Sequence, residues 1–341
     1  MKTTQTSSQS YTNQMVKDQI SVSVIMITYG HEKYIKQAVE SILNQKTNFL
    51  YEVIISDDNS PDNTESVINK IIKENPNGTK INYKKHTSNK GMNENYFWSV
   101  TKCRGELIAV CEGDDYWTDP LKLQNQFNFL KKNKDYSMVF TPALRKFENS
   151  NKPNVVRNKY FNYNTDKFKL ENILKLGGGF YPTCSSLYRK NIFDVANARK
   201  FMTLHSTGDY PVAILAAIKG KIGYIDDVTS VYRVQDNSVS NKLFKTCENC
   251  IKDVKLKYEK NINFFNFLFN EIKINKKLER ELLSKENYVL LSKYLNCGHY
   301  SGFYNLFFKL NLSLKHRIRI IVKLINRFLS GNKSPKIQKI N

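Results

Sequence analysis

The stretch "ISVSVIMITYG", Ile20 to Gly30, constrains the fold most, because it is β-branched and almost unbroken in its apolar residues. Such a run is expected of a strand covered on both faces of a parallel sheet. A helix should follow it. In "HEKYIKQAVESILNQ" the residues Ile35, Ala38, Ile42 and Leu43 fall on one stripe, with lysine and glutamate elsewhere. "YEVIISDDNSPDNT" then predicts a short strand, Val53 to Ser56, that runs into a turn of Asp, Asn, Ser and Pro. A second helix begins near Asp62 or Thr64, either of which can cap it, with Val67, Ile68, Ile71 and Ile72 as its apolar stripe.

"KINYKKH" reads as a further strand, "NENYFWSVTKC" as a helix and "GELIAVCEGDD" as another strand, giving β-α-β-α-β-α-β. This alternation predicts an α/β fold, a doubly wound sheet flanked by helices, with ligands at the carboxyl ends of the strands. Two acidic clusters then share one rim: Asp57 and Asp58 after one strand, and Glu112, Asp114 and Asp115 after another, with Thr28, Tyr29 and Gly30 following the first. Residues 145–170 are polar and basic and predict an irregular excursion, after which structure resumes at "GGGFYPTCSSLYRK". Beyond about 240 only long helical patterns occur. The expected organisation is a tail over 1–19, a catalytic domain over 20–240 and a basic helical region over 241–341.

Two neighbouring strand-end carboxylates repel one another unless a cation sits between them. Hard oxygen ligands select magnesium or manganese, with phosphates of a substrate completing the shell. The plain alternative is that Asp114 and Asp115 cap a helix starting near Pro120. No stretch approaches the ~18 apolar residues of a membrane span, and the N-terminus lacks the apolar core of a secretory leader, so a cytoplasmic location is expected. Six dispersed cysteines predict reduced thiols. The close pair in "CENC", Cys247 and Cys250, has no matching second pair for zinc.

The blocks "VSVIMITYGHEKYIKQAVESILNQ", "YEVIISDDNSPDNT" and "NKGMNENYFWSVTKCRGELIAVCEGDDYW" resemble, in this order, those of a family 2 glycosyltransferase with the GT-A fold, a Rossmann-like mixed sheet. The likeness runs from about Ile20 to Ser240. It implies that Thr28 and Tyr29, with Asp57 and Asp58, bind a nucleotide-sugar, Tyr29 on the base and Asp58 on the uracil of a UDP-sugar. An aromatic face stacks on a planar base and a carboxylate accepts from its ring N–H, so the chemistry agrees. Asn89, Lys90 and Gly91 match a turn that approaches the diphosphate. Glu112, Asp114 and Asp115 match the D-x-D element, Glu112 replacing its first Asp; they are the expected ligands of Mn or Mg, with Asp115 the direct one and Asp114 also reaching the ribose.

By the same resemblance Asp209, in "HSTGDYPVAIL", is the catalytic base of an inverting transfer, its alternative being a helix cap. Arg233 in "YRVQDNSVS" pairs with the diphosphate or makes a structural ion pair, and Gln235 stands where related sequences often carry His. Trp117, Gly178 and Gly179 border the acceptor site, with the triple glycine from Gly177 permitting a mobile lid. The acceptor implied is a lipid-linked or growing glycan of a bacterial surface polysaccharide, capsule or lipopolysaccharide O-antigen.

Charge adds a separate signal. Of the net +22, residues 241–341 supply +14, from 21 Lys/Arg against 7 Asp/Glu, and residues 301–341 carry nine Lys/Arg and no acid. "LFFKLNLSLKHRIRIIVKLINRFL", Leu306 to Leu329, has the composition of a helix lying on an anionic membrane surface, which would place the enzyme peripherally on the inner face of the cell membrane. The alternative is a helix packed on the protein with its lysines in water. Nucleic acid is not expected as a partner, since no recognition motif occurs. A competing view makes the chain a non-enzymatic basic adaptor on an inactive sheet. A sugar nucleotidyltransferase lacks support, because no Gly-rich phosphate loop follows the first strand.

Overall fold

A computed structural model describes residues 19–147, 154–156, 168–235 and 247–329. Strand β1 (Ile20–Thr28) is followed by α1 (Ile35–Leu43), β2 (Leu50–Asp57), α2 (Thr64–Glu74), β3 (Ile81–Lys85), α3 (Met92–Lys102) and β4 (Leu107–Val110). The predicted alternation is therefore realised. Val22, Val24 and Met26 of β1 pack with Ile35, Ala38, Val39 and Ile42 of α1, while Ile25 is buried on the opposite face of the sheet. That double burial is why the first strand reads as a continuous apolar run.

After β4 come β5 (Tyr116–Trp117), α4 (Lys122–Lys132), β6 (Tyr136–Phe140), β7 (Ala143–Phe147) and β8 (Asn154–Val156). The chain continues with α5 (Leu170–Leu176), β9 (Leu187–Arg189), α6 (Ala198–Leu204), α7 (Asp209–Lys219), β10 (Lys221–Tyr224) and β11 (Ser230–Val234). The main sheet has the order β10-β6-β9-β4-β1-β2-β3. Its β1, β2, β3 and β4 are mutually parallel, whereas β9 is antiparallel to both β4 and β6, so the sheet is mixed. A smaller sheet, β5-β11-β7-β8, lies apart from it in hydrogen bonding. Part of the stretch expected to be irregular is thus ordered: β7 and β8 pair by backbone bonds that no alternation of apolar and polar residues advertises. The rest of 148–167, the tail over 1–18 and residues 236–246 lie outside the described residues.

Four helices follow among the described residues: α8 (Cys247–Glu271), α9 (Lys276–Asn296), α10 (Tyr300–Phe307) and α11 (Leu314–Leu329). Asn275 caps α9, its side chain accepting from Leu278 N–H at 2.8 Å, which breaks a helical pattern that reads continuously through residues 271–295. Two compact units result. One runs to Met202 and takes in Thr207–Gln235, and the other holds Thr203–Ser206 with the four C-terminal helices. The second unit has its own core, in which Ile251, Leu290, Leu291, Tyr294, Phe303 and Ile320 are buried together. Cys250 is disulfide-bonded to Cys297, 47 residues on, which corrects the expectation of reduced thiols for that residue. The side chain of Cys247 lies outside the described residues. Cys103, Cys111 and Cys184 are free and buried.

Candidate active site

The acidic motif extends the sheet before it turns away. Cys111 N–H donates to Ile25 O and Gly113 N–H to Ile27 O, both at 3.0 Å, so the motif runs alongside the end of β1. Gly113 is required there: a Cβ would stand 2.6 Å from Thr28 Oγ1 and 2.8 Å from His31 Nδ1. Thr28 and His31 are themselves joined, Oγ1 to Nδ1, at 3.1 Å. His31 also faces the motif, with Nε2 4.0 Å from Asp114 Oδ2. The same Asp114 oxygen accepts from Gln235 Nε2 at 2.9 Å. Asp114 retains partial exposure, its side chain 23% accessible.

Asp115 is placed differently. It is enclosed, its Oδ1 accepting Arg233 N–H at 2.8 Å and its Oδ2 without a hydrogen-bond partner among the described residues. Ligand atoms of Glu112, Asp115 and Cys184 lie within 4.8 Å of one another. Burial pushes the Asp115 carboxyl well up, with the charges of Asp114 and Glu112 adding to it. Glu112, whose Oε2 is buried and unpaired, is pushed up to about 8 by burial, then by the Asp114 charge, with Asp209 contributing. Asp115 thus braces β11 with one oxygen and keeps the other beside Glu112, which leaves it available to a cation, while the partly exposed carboxylate is that of Asp114. Neither residue caps α4, whose N-cap is Leu121 and whose entry is held by Asp119 accepting from Leu121 N–H at 2.8 Å.

Asp57 and Asp58 also divide their work. Asp57 is fully buried, its carboxylate accepting from Ser60 N–H at 2.7 Å and from the Tyr83 hydroxyl at 3.0 Å, so it holds the turn together. Asp58 accepts from the N–H groups of Lys90, at 2.7 Å, and Gly91, at 2.9 Å. Sequence-distant parts of the expected nucleotide site are thereby joined. Asn89 closes the same turn, its Oδ1 accepting from Gly91 N–H at 3.0 Å, and Gly91 adopts φ +85°, a conformation that disfavours a side chain. Tyr29 is half exposed and leaves its ring accessible, and the Lys90 side chain is exposed. Asp62 does not cap α2, whose N-cap is Asn63; it accepts from Thr64 N–H and Glu32 N–H and ties the turn to the β1 rim.

Asp209 opens α7, yet the helix-cap alternative is not realised, because the N-cap is Gly208 and no side chain caps it. Its carboxylate instead accepts from Gly179 N–H. A Cβ on Gly178 would stand 2.7 Å from Asp209 Oδ1, and Gly177 and Gly179 have φ of +79° and +78°. The glycine run thus closes on the carboxylate. Two expectations change with this geometry. Trp117 is buried, its Nε1–H donating to Cys184 O at 2.7 Å and its ring 4.4 Å from Lys122 Nζ, so it offers no face to an acceptor. Arg233 is also buried: it donates to Asp114 O and Gln37 Oε1 and lies 4.6 Å from the Tyr116 ring centroid, which is a structural role rather than a diphosphate contact. Gly178 and Gly179 lie against the Asp209 carboxylate. Sequence reasoning missed His31, although it directly follows the "TYG" block, and Cys184, for which "PTCSS" carries no signal.

A mixed sheet flanked by helices, with acids gathered at the ends of its parallel strands, is the arrangement of GT-A glycosyltransferases. Residues 23–196 match the family described as Glycosyl transferase family 2, and the chain belongs to that family. The chain is 30% identical over 212 residues to an uncharacterised protein of Mycobacterium tuberculosis, a match covering 62% of this chain and 58% of that protein's length. Over 323 residues it is 25% identical to the GalNAc(5)-diNAcBac-PP-undecaprenol beta-1,3-glucosyltransferase of Campylobacter jejuni, covering 94% of this chain and 97% of that one. Among solved structures, S. aureus TarS in complex with UDP-GlcNAc superposes with a TM-score of 0.55 at 18% identity, over 90% of this chain and 81% of that one. The mannosyltransferase PcManGT from Pyrobaculum calidifontis, in complex with GDP-Man and Mn2+, gives 0.55 at 14% identity over 91% and 81%. These two likenesses establish the fold.

Proposed function

We propose that the chain is an inverting, divalent-metal-dependent glycosyltransferase that moves a hexosyl or N-acetylhexosaminyl group from a UDP-sugar to a hydroxyl of a lipid-linked or growing glycan. The pathway would be assembly of a surface polysaccharide, capsule or O-antigen, with the enzyme peripheral at the cytoplasmic face of the cell membrane. The C. jejuni relative, whose name specifies an undecaprenol-linked acceptor, supports the lipid-linked reading. The observation that carries the chemistry is the Asp209 carboxylate, held by the Gly178–Gly179 turn close enough to the acidic motif for its charge to act on Glu112.

Tyr29 presents its ring to the base, and Asp58, with lone pairs beyond those used by Lys90 and Gly91, accepts from a ring N–H. The donor set at the rim fits magnesium or manganese: Asp114 is partly exposed beside His31 Nε2, and Glu112 has a buried, unpaired oxygen. Asp114 would hold the ion from the exposed side, with the unpaired oxygens of Asp115 and Glu112 behind it, and the ion would stabilise the charge growing on the departing diphosphate. Asp209 takes the proton of the acceptor hydroxyl as that oxygen bonds to the anomeric carbon. The bond from that carbon to the phosphate oxygen breaks, and its electron pair leaves with UDP. One displacement inverts the centre.

Replacing Asp209 by Asn tests the assignment. Transfer should fall about a hundredfold or more while UDP affinity holds; an Asp209→Asn enzyme with normal turnover would remove this residue as the base.

A further inference from the structure

The outer face of α11 has no partner among the described residues. Leu314, Ile318, Ile321, Val322, Ile325 and Leu329 are all exposed, from 43% to 81%. At 100° per residue they fall within an arc of about 100° along the whole helix. The opposite face is anchored to the helices beneath it. Ile320 is fully buried, the His316 ring bonds Ser284 Oγ at 2.7 Å, Lys323 bonds Ser292, and Arg327 donates to the Tyr300 hydroxyl at 3.0 Å. The helix is therefore fixed in rotation, and its exposed apolar face is a built feature rather than a frayed one. Lys315 and Arg319 on one side of that arc and Arg317 on the other are all exposed.

We propose that this face is a membrane-docking surface: α11 lies parallel to an anionic phospholipid bilayer, its six apolar side chains at the acyl boundary and its flanking cations on the headgroups. The charge selects this occupant. A second copy of the chain seated on the same face would bring two units of like charge together, since residues 241–341 carry 21 Lys/Arg against 7 Asp/Glu. A nucleic acid would satisfy the cations but leave the apolar arc in water. An anionic lipid surface satisfies both. No described helix is long and apolar enough to cross a membrane, so docking is by this face and not by a span. The inference deepens the proposed use of a lipid-linked acceptor, but its test involves no turnover, so it stands or falls apart from the transfer reaction.

The test is flotation of the full chain with vesicles of phosphatidylcholine alone and of phosphatidylcholine with phosphatidylglycerol. The protein should float with the anionic vesicles and far less with the neutral ones. The double variant Ile318→Asp, Ile325→Asp should bind about tenfold or more weakly, with unchanged circular dichroism and thermal midpoint of the helical unit. Because both positions are exposed, folding is expected to survive, and the milder Ile321→Ser should give an intermediate loss. Absence of binding to anionic vesicles, equal binding by the double variant, or a solution dimer that the double variant dissolves without any vesicle binding would each overturn the proposal.

Discussion

At the residue scale, Gly178 and Lys122 expose what the sequence conceals. The triple glycine suggests mobility, but Gly178 lies against the Asp209 carboxylate with no room for a Cβ. Gly178→Ala should displace that carboxylate and lower kcat by about tenfold to a hundredfold, with UDP affinity unchanged; steady-state kinetics beside a binding titration separates the two. Lys122 is fully buried, donating to Gln126 Oε1 at 2.6 Å and Ser185 O at 3.3 Å, and burial pulls its ammonium down to about 8. The unfolded chain then binds more protons than the folded one between pH 8 and the ordinary lysine value. Stability should rise with pH across that window, by at most about 3 kcal/mol, and Lys122→Met should lack the rise in denaturant titrations. Nothing in "TDPLKLQNQ" marks this lysine as buried, because a single position in a helical pattern does not report what packs over it.

At the scale of elements, β1, α1, β2, α2, β3, α3 and β4 were legible because each buries a stripe or face whose period is written in its own residues. The buried set of α1 includes all four residues its spacing predicts. The smaller sheet was not legible: β5 has two residues, β8 three, and β7 sets two adjacent cations in its middle, so backbone pairing decides them. Nor does local pattern disclose that β9 inserts antiparallel between β4 and β6. The start of the sheet is held by a further device that sequence hides. Glu52, enclosed in β2, accepts from Ser23 Oγ at 2.6 Å, Arg104 N–H at 2.8 Å and the Arg104 guanidinium at 2.7 Å. Glu52→Ala should cost about 2 kcal/mol in chemical denaturation by stranding those donors; a loss below a few tenths would show that water replaces the carboxylate.

For the whole molecule, the two compact units have separate cores, and only the helical one holds a disulfide among the described residues. The bridge joins cysteines 47 apart, a separation at which nothing in the sequence singles out a pair. Closing such a loop stabilises by about 4 kcal/mol in the chain-entropy model. Reducing agent, or Cys250→Ser, should lower the calorimetric transition of the helical unit and leave that of the sheet unit in place. A shift in the sheet unit's transition instead would contradict that assignment. The candidate site was legible as a set of strand-end positions, since the alternation places them on one rim. Which acid does what was not, because only the fold brings β11 beneath Asp115 and sets Asp114 beside His31 and Gln235.

In the proposed reaction the acids of that rim act with a divalent cation on the diphosphate of a nucleotide-sugar, Asp114 foremost. Calorimetric titration of UDP into the protein, with and without manganese and in Asp114→Ala, measures it directly. Manganese should strengthen UDP binding in the unaltered chain, and the variant should lose this strengthening while keeping its fold. Equal UDP affinity in all four conditions would contradict it.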